Sequence, residues 1–469
     1  MEDNFIENYE ESLNDKTVPF FDEEEYLDII SYYNSVNEFN KALRATDNAK
    51  VFYPTSVEIV VATTNTLLNL HKDKEAEKEF SKIQEEQSPN ISILNIRFLI
   101  RNDLQEEAES KIKELLATCE RVKEVTLILS NMLMSENETK KAITYYLKVL
   151  TVKNYHLYTN ELHNLIYCYF INDEGETAIA YLNKLIDHNP YSEVAWRELS
   201  YLYYISQEYQ LSIDAANFVL AIDPKNTEAL ELKAEGYHNL GNSEKALENF
   251  MDCLPNNKNK LRIYTNIALI YKELEEYEKS IKYNKLSIEY HGKEEDIKAF
   301  QIISYCNCFT EIALCYEALG DFRKAFHYIN HNVLFLEKRQ ILANSLFLAK
   351  KAIYLFRLGE REQAHLLLQE LITFDTKDDE TMANVSVLYL LFNDFDGLTA
   401  YLESNKGVEP TPHTLLLLAI SAYCCGNKEP IQTFIQNKPA EFEEIITELN
   451  HSDIEMKKIV HDILEKLNT

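Results

Sequence analysis

Residues 193–226 read EVAWRELSYLYYISQEYQLSIDAANFVLAIDPKN, and this stretch decides the fold. Its Tyr203 is one of four tyrosines that stand 34 residues apart, and its Ser212 belongs to a series of small residues with the same spacing. A period of 34 residues is typical of a repeated pair of helices. The sequence therefore predicts a helical array. The two series are Tyr169, Tyr203, Tyr237 and Tyr271, and Ala178, Ser212, Ala246 and Ser280.

Two helices of about a dozen residues each fit into this stretch. Trp196 and Tyr203 are seven residues apart, so they share one face of the first helix. Ser212 opens the second helix, where a larger side chain would push the two helices apart. Pro224 has no N–H to donate and therefore ends the second helix. Each repeat is predicted to be a helical hairpin.

Two successive repeats supply the most specific residues. They are Trp196, Leu199, Tyr203, Tyr209, Ser212 and Pro224, followed by Leu230, Ala234, Tyr237, Gly241, Ala246 and Phe250. At these positions the chain resembles the tetratricopeptide repeat family. The resemblance implies an all-α fold, a right-handed α-α superhelix built as a solenoid of helix-turn-helix repeats.

Counting outward in the same register predicts about twelve repeats over nearly the whole chain. The spacing is uneven at one place, where 45 residues separate the repeat at Leu261 from the repeat at Cys306. The excess reflects either a longer second helix or a protruding loop. The predicted repeats begin near Glu23, Val57, Pro89, Lys123, Thr159, Glu193, Thr227, Leu261, Cys306, Ser345, Asp379 and Pro412.

This register divides the chain into five segments. They are an acidic N-terminal extension (1–22), a sub-array of about eight repeats (23–290), a charged insertion (291–299), a sub-array of about four repeats (300–436) and C-terminal capping helices (437–469). In the last segment Ser452 and Glu455 form a capping box, and apolar residues at helical spacing follow it.

The formal net charge of −30 predicts the kind of partner that the chain attracts. A negative field repels phosphate backbones and anionic lipid, so we expect no nucleic acid and no membrane insertion. Basic proteins or peptides would be steered toward it. The alternative is that the charge only keeps a long surface soluble. Residues 1–11 are acidic, unlike a targeting signal, and eight cysteines fit a reducing compartment. A cytoplasmic location is therefore expected.

An enzymatic role finds little support in the sequence. No Gly-rich phosphate loop, H-E-x-x-H or G-x-S-x-G motif occurs, and glycine is scarce. Cys306, Cys308 and Cys315 lie close in sequence, as do His327 and His331, but neither group completes a metal site. We therefore expect a chain that is not an enzyme and has no cofactor and no bound metal.

The resemblance implies that the second, fifth, ninth and twelfth residues of each repeat project into a concave groove. Aromatic residues and arginine are enriched at binding hot spots, so three neighbouring repeats give the best candidate site. A ligand with an apolar or aromatic anchor followed by Lys or Arg would suit it. With 30 tyrosines in 469 residues, the aromatic groove can also reflect composition alone. The candidate residues are Asn160, His163, Tyr167, Phe170, Arg197, Tyr201, Tyr204, Glu228, Glu231, Glu235 and His238.

The sequence thus predicts a non-enzymatic scaffold or adaptor that binds a peptide or protein segment in its groove. The first alternative is a regulator that senses a peptide and changes its superhelical shape at the 291–299 insertion. A weaker alternative is an auxiliary subunit of an enzyme assembly.

Overall fold

The computed structural model describes residues 3–12, 20–257, 259–294, 297, 301–341, 344–373, 379–392, 394, 397–398 and 400–401. This part of the chain contains α-helices and no strand, which confirms the predicted all-α fold. The helices are α1 (Asp3–Ser12), α2 (Glu23–Ser35), α3 (Phe39–Phe52), α4 (Val57–Asn69), α5 (Asp73–Phe80), α6 (Pro89–Arg101), α7 (Gln105–Thr118), α8 (Val122–Ser135), α9 (Thr139–Val149), α10 (Thr159–Ile171), α11 (Gly175–His188), α12 (Glu193–Ile205), α13 (Tyr209–Ile222), α14 (Thr227–Asn239), α15 (Ser243–Cys253), α16 (Lys260–Glu273), α17 (Tyr277–His291), α18 (Ile302–Ala318), α19 (Phe322–Lys338), α20 (Ser345–Arg357), α21 (Arg361–Leu371) and α22 (Asp379–Phe392). A short 3₁₀ helix, Tyr155–Leu157, precedes α10.

The helices pair into ten consecutive hairpins within the described residues, from α2/α3 to α20/α21, and α22 follows them. The arrangement is a solenoid of helical hairpins. Most first helices begin at the predicted residue, while α8 and α16 begin one residue earlier and α18 four residues earlier. The predicted repeat at Pro412 and the capping helices of 437–469 lie outside the described residues.

The chain divides into two compact units, residues 1–232 and 233–469, with the boundary inside α14. In the first unit each first helix packs on the next first helix, from α2 to α12. In the second unit α20 packs on α22 in the same way. The sub-array boundary at 291–299 remains a prediction.

Each of the ten described hairpins turns through one residue in the left-handed region of backbone conformation. In α12/α13 this residue is Gln207, with φ of 63°, and the next N–H, of Glu208, bonds to the carbonyl of Tyr203 at 2.8 Å. Such a turn satisfies carbonyls at the end of the first helix. Only three of the ten turns use glycine, although the residue must adopt a positive φ. The turn residues are Asn37, His71, Asp103, Asn137, Asp173, Gln207, Gly241, Glu275, Gly320 and Gly359.

The two periodic series are packing residues, as predicted. Ala178, Ser212, Ala246 and Ser280 are all completely buried where the two helices of a hairpin meet. Tyr169 is buried in the core of the first unit, and Tyr271 stacks on Tyr283 with 5.7 Å between ring centroids. The 34-residue period therefore reflects packing and sets the register of the neighbouring exposed residues.

The acidic N-terminal segment contributes to the fold. Its helix α1 places Tyr9 against Phe21, Tyr26 and Tyr33 with only 1% of its surface exposed. Asn48 donates a hydrogen bond to the Tyr9 hydroxyl at 2.9 Å. Helix α1 therefore covers the apolar end of the first hairpin.

The long spacing before α18 has two contributions. Helix α17 ends at His291 and α18 begins at Ile302, so a connection replaces a tight turn while α18 is also lengthened at its start. Arg339, the residue that follows α19, donates to the carbonyls of Glu294 and Ile297, the latter at 2.9 Å. His331 Nε2 lies 2.6 Å from the Glu294 carboxylate. These contacts fasten the connection to α19.

Candidate functional site

The structure places the predicted groove residues of the first unit on neighbouring first helices. Helix α10 carries Asn160, His163, Tyr167 and Phe170, and α12, which packs on α10, carries Arg197, Tyr201 and Tyr204. Glu228 and Glu231 follow on the first half of α14. We call this surface the α10–α12 face. Glu235 and His238 lie on the half of α14 that belongs to the second unit.

Local sequence fixes the starts of these helices. Ser192 caps α12 by accepting a hydrogen bond from the Ala195 N–H at 3.2 Å. Asn226 caps α14 through the Ala229 N–H at 2.9 Å. The Asn226 side chain also donates to the carboxylate of Glu193 at 2.7 Å, so the start of α14 is tied to the start of α12.

A chain of four charged side chains runs across the face. His163 Nδ1 lies 2.9 Å from Glu198 Oε2, and Arg197 Nη2 lies 3.3 Å from Glu198 Oε1. Arg197 Nε is 3.1 Å from Glu228 Oε2. The guanidinium predicted to meet a ligand is therefore held between two carboxylates, which fixes its position and neutralises its charge.

Glu198 is the residue at the centre of this chain, and the sequence analysis missed it. It is only 2% exposed, and its carboxylate contacts the His163 ring and the Arg197 guanidinium. The hydrogen bond to Glu198 raises the pKa of His163 above its ordinary value, against the opposing effect of burial. The sequence signal that could have predicted this contact is the spacing, because His163 and Glu198 are one period plus one residue apart.

Two tyrosines lie beside this charged chain. The rings of His163 and Tyr201 are 4.8 Å apart at their centroids. Burial raises the pKa of Tyr201, and the Tyr167 hydroxyl and Glu198 raise it further. Tyr167 is 41% exposed. The structure thus brings His163, Tyr167, Tyr201 and Glu198 together.

The remaining predicted residues play different parts. Phe170 is half-buried and packs against the core, and Tyr204 lies 5.9 Å from Tyr209 of its own hairpin. Asn160 and Glu228 are exposed, whereas Glu231 is buried. In the second unit Glu235 pairs with Arg262 at 3.6 Å and His238 with Glu273 at 3.6 Å.

A second polar cluster lies deeper, among the hairpins from α4 to α9. Arg97 of α6 donates to Asn65, Asn69 and Glu136, with the Glu136 oxygen 2.6 Å from Nε. Arg101 donates to the other oxygen of Glu136 at 2.8 Å. The Arg97 side chain is fully paired and buried, so it stabilises the stack and is not available to a ligand.

The comparison with family models adds one match. Residues 261–290, which cover α16 and nearly all of α17, match the tetratricopeptide repeat. This segment of the chain is a tetratricopeptide repeat. The other nine hairpins of the described residues have the same two-helix form and the same left-handed turn position, so the repeat extends well beyond the matched segment.

Several solved structures are similar to this chain at low sequence identity. One is titled as the APC/C hetero-tetramer Cut9-Hcn1, with 12% identity, 85% of this chain and 89% of that chain covered, and a TM-score of 0.37. Another is a tetratricopeptide repeat protein from Parabacteroides merdae ATCC 43184, with 16% identity, coverages of 56% and 98%, and a TM-score of 0.39. A third is PilW, described as a type IV pilus biogenesis factor, with 15% identity, coverages of 48% and 96%, and a TM-score of 0.37. No curated protein matches the sequence.

The cysteines of the described residues are free, and most are buried. Burial raises the pKa of Cys306 to about 11 and that of Cys308 to about 12, so both are neutral thiols at physiological pH. Among the described residues no group of three or more His, Cys, Asp or Glu is placed to hold a metal ion. The helices described here are also too short or too polar to span a bilayer.

Proposed function

We propose that this chain is a non-enzymatic scaffold that binds a peptide or protein segment on the α10–α12 face. Tetratricopeptide repeats support a role in protein interaction in general. The observation that supports this particular face is the exposure of Tyr167 beside Tyr201, backed by the ion-paired chain from His163 to Glu228.

Preorganisation makes this surface suited to binding. Arg197 and Glu198 hold each other through side-chain contacts, so little rotamer freedom remains to be lost when a ligand binds. Tyrosine adds a large contact area with few rotatable bonds and a hydroxyl that can form a hydrogen bond. A rigid aromatic surface on a fixed polar base has the composition of an interaction hot spot.

The charge of the surroundings favours a basic partner. The chain has a net charge of −30, and Glu228 on this face exposes 65% of its side chain. Long-range attraction of this sign raises the association rate of basic ligands and weakens at high salt. We therefore propose a partner segment with an aromatic or apolar anchor next to Lys or Arg.

A site-specific crosslink tests whether the partner contacts this face. A photoreactive phenylalanine analogue replaces Tyr167 in one variant and Leu211, exposed on α13, in a matched control. Irradiation in cell extract is expected to give a discrete crosslinked protein from position 167 and a different pattern from position 211. Mass spectrometry then identifies the crosslinked protein.

A second test measures whether substitutions on the α10–α12 face abolish binding of the partner. Tyr167→Ala with Tyr201→Ala is expected to lose the crosslinked partner in pull-down, whereas Gln210→Ala with Leu211→Ala on α13 retains it. Circular dichroism establishes that both double variants are folded. If the α10–α12 variant keeps every partner of the wild type, this face is not the binding site.

A further inference from the structure

We propose that the α10–α12 face binds an arginine or lysine side chain of the partner against Tyr167 and Tyr201, and that His163 competes with this cation for Glu198. The inference rests on the proposed function. It adds which side chain of the partner is bound, an arginine or lysine, and states that protonation of His163 weakens its binding.

Tyr167 has an exposed ring, and Tyr201 contacts only the partly exposed ring of His163 among the ring contacts described here. In other repeats the chain covers tyrosines with its own lysines, since Lys245, Lys279 and Lys324 each lie 5.0 Å from a tyrosine centroid in the same hairpin. Within the described part of the chain no Lys or Arg lies over Tyr167 or Tyr201. Those lysines cover tyrosines of the packing series, such as Tyr237 and Tyr271, whereas Tyr167 and Tyr201 lie two residues earlier in their repeats. A partner cation can therefore contact these two rings without displacing a lysine of the chain.

The carboxylate of Glu198 lies close to these rings, and His163, which contacts it, is able to move away. Glu198 is contacted by His163 at 2.9 Å and by Arg197 at 3.3 Å, and His163 is also in ring contact with Tyr201. The His163 side chain is 45% exposed, so it can rotate away without opening the core. A guanidinium entering over Tyr201 would then reach a carboxylate that is already desolvated.

The local charge depends on the proton of His163. Glu198 and Glu228 contribute two negative charges and Arg197 one positive charge. These side chains together with His163 therefore have a net charge of −1 when His163 is neutral and 0 when it is protonated. A cation is therefore bound more tightly when His163 is neutral. By linkage, the bound cation also favours release of the His163 proton.

The groups around His163 are few. Those that act on it are Glu198 and Arg197 of α12 and Glu228 of α14. Helix α8 contributes the neutral amide of Asn131, whose oxygen accepts hydrogen bonds from Asn164 of α10 and from the Tyr146 hydroxyl of α9. Helix α11 packs through apolar residues such as Ala178 and Leu182.

Binding of a defined peptide to the full chain tests the proposal. The probe is Ac-Leu-Tyr-Arg-Arg-NH₂, and its control has citrulline, a neutral isostere, in place of both arginines. Calorimetry at about pH 5.5 and about pH 8 brackets the titration of histidine. The arginine peptide is expected to bind at least about threefold more tightly at the higher pH, the effect of one partly exposed charge. The citrulline peptide should bind more weakly and show no such change.

Two variants separate His163 from the other histidines. His163→Gln is expected to bind the arginine peptide with an affinity that no longer depends on pH. His238→Gln, which removes a histidine paired with Glu273 in the second unit, should keep the wild-type dependence. Thermal unfolding at both pH values establishes that each variant is folded.

Each outcome decides between the two proposals. If the arginine and citrulline peptides do not differ, including the case in which neither binds, the cation site is wrong. If His163→Gln keeps the pH dependence, His163 is not the competing group. If Tyr167→Ala with Tyr201→Ala leaves the crosslinked partner bound, the proposed face itself fails. That result is independent of the peptide data.

Discussion

Nε of Arg97 lies 2.6 Å from the Glu136 carboxylate, and both side chains are nearly completely buried, at 5% and 7% exposure. Burial lowers the pKa of Arg97, and the attraction of Glu136 opposes this effect. The guanidinium and the carboxylate each depend on the other, because an isolated charge in this position would have neither water nor a partner.

Removal of one partner should therefore be costly. Glu136→Gln is expected to lower the free energy of unfolding by about 3–5 kcal/mol, since it leaves the buried guanidinium of Arg97 without a counter-charge. Urea denaturation followed by circular dichroism measures the change. Glu124→Gln removes the exposed i, i+3 partner of Arg121 and should cost less than about 1 kcal/mol. Equal losses in the two variants would contradict the role of Glu136.

The left-handed turns predict substitutions that stabilise the chain. Gln207 and Glu275 have φ of 63° and 58°, a region that costs a non-glycine residue about 1–2 kcal/mol. Substitution by glycine removes this cost, but part of the resulting gain in stability is offset by the greater conformational entropy of glycine in the unfolded chain. Gln207→Gly and Glu275→Gly should each raise stability by about 0.5–1 kcal/mol.

Gly241 provides the opposite test, with φ of 74° and open space around its Cα. Gly241→Ala should lower stability by about 1 kcal/mol through backbone strain alone. A thermal melt of the three variants compares the signs directly. If Gln207→Gly were destabilising, the Gln207 side chain would have to make a compensating contact.

The His163–Glu198 pair predicts a pH-dependent contribution to stability. The folded-state pKa of His163 is raised, so the folded protein holds this proton more tightly than the unfolded chain. The contribution is fully present below the ordinary value of about 6.5 and is lost as pH rises through the higher folded-state pKa. The difference in urea midpoint between wild type and His163→Gln should therefore shrink from about pH 5.5 to about pH 8. A difference that grew with pH would have the wrong sign.

The packing of Tyr9 is expected to protect the N-terminal helices α1, α2 and α3 from hydrogen exchange. Tyr9→Ala removes a ring that contacts three aromatic side chains, so α1 should detach from the first hairpin. Hydrogen exchange is expected to accelerate in α1, α2 and α3 and to stay unchanged in α10 and α12, because a repeat array responds locally. Asn8→Ala, at an exposed position of α1, is the matched control and should leave exchange in these helices unchanged.

The hairpins were predictable because their boundaries follow from repeated local signals. The period that places Tyr203 also places Thr159, Glu193 and Thr227 at the starts of α10, α12 and α14. Those signals lie within one repeat, where helical geometry converts spacing into position.

Contacts between repeats were not predictable in the same way. Glu198 follows Arg197 in sequence, and its selection as the partner of His163 depends on how α10 and α12 pack. The pairing of Glu136 with Arg97, 39 residues earlier in the sequence, likewise depends on how helices of different repeats pack. Helix α1 was missed because eleven acidic residues in the first 28 indicated a solvated extension and obscured Tyr9.

The Arg97 cluster also bears on how the first unit unfolds. Asn65 belongs to α4, Arg97 to α6 and Glu136 to the turn after α8, so one guanidinium links three consecutive hairpins. In a simple stack each hairpin couples only to its immediate neighbours and can fray one at a time. Here the middle hairpin cannot open without breaking the hydrogen bonds that Arg97 makes to side chains of both neighbouring hairpins. The segment from α4 to α9 should therefore melt as a single cooperative block inside an otherwise gradual transition.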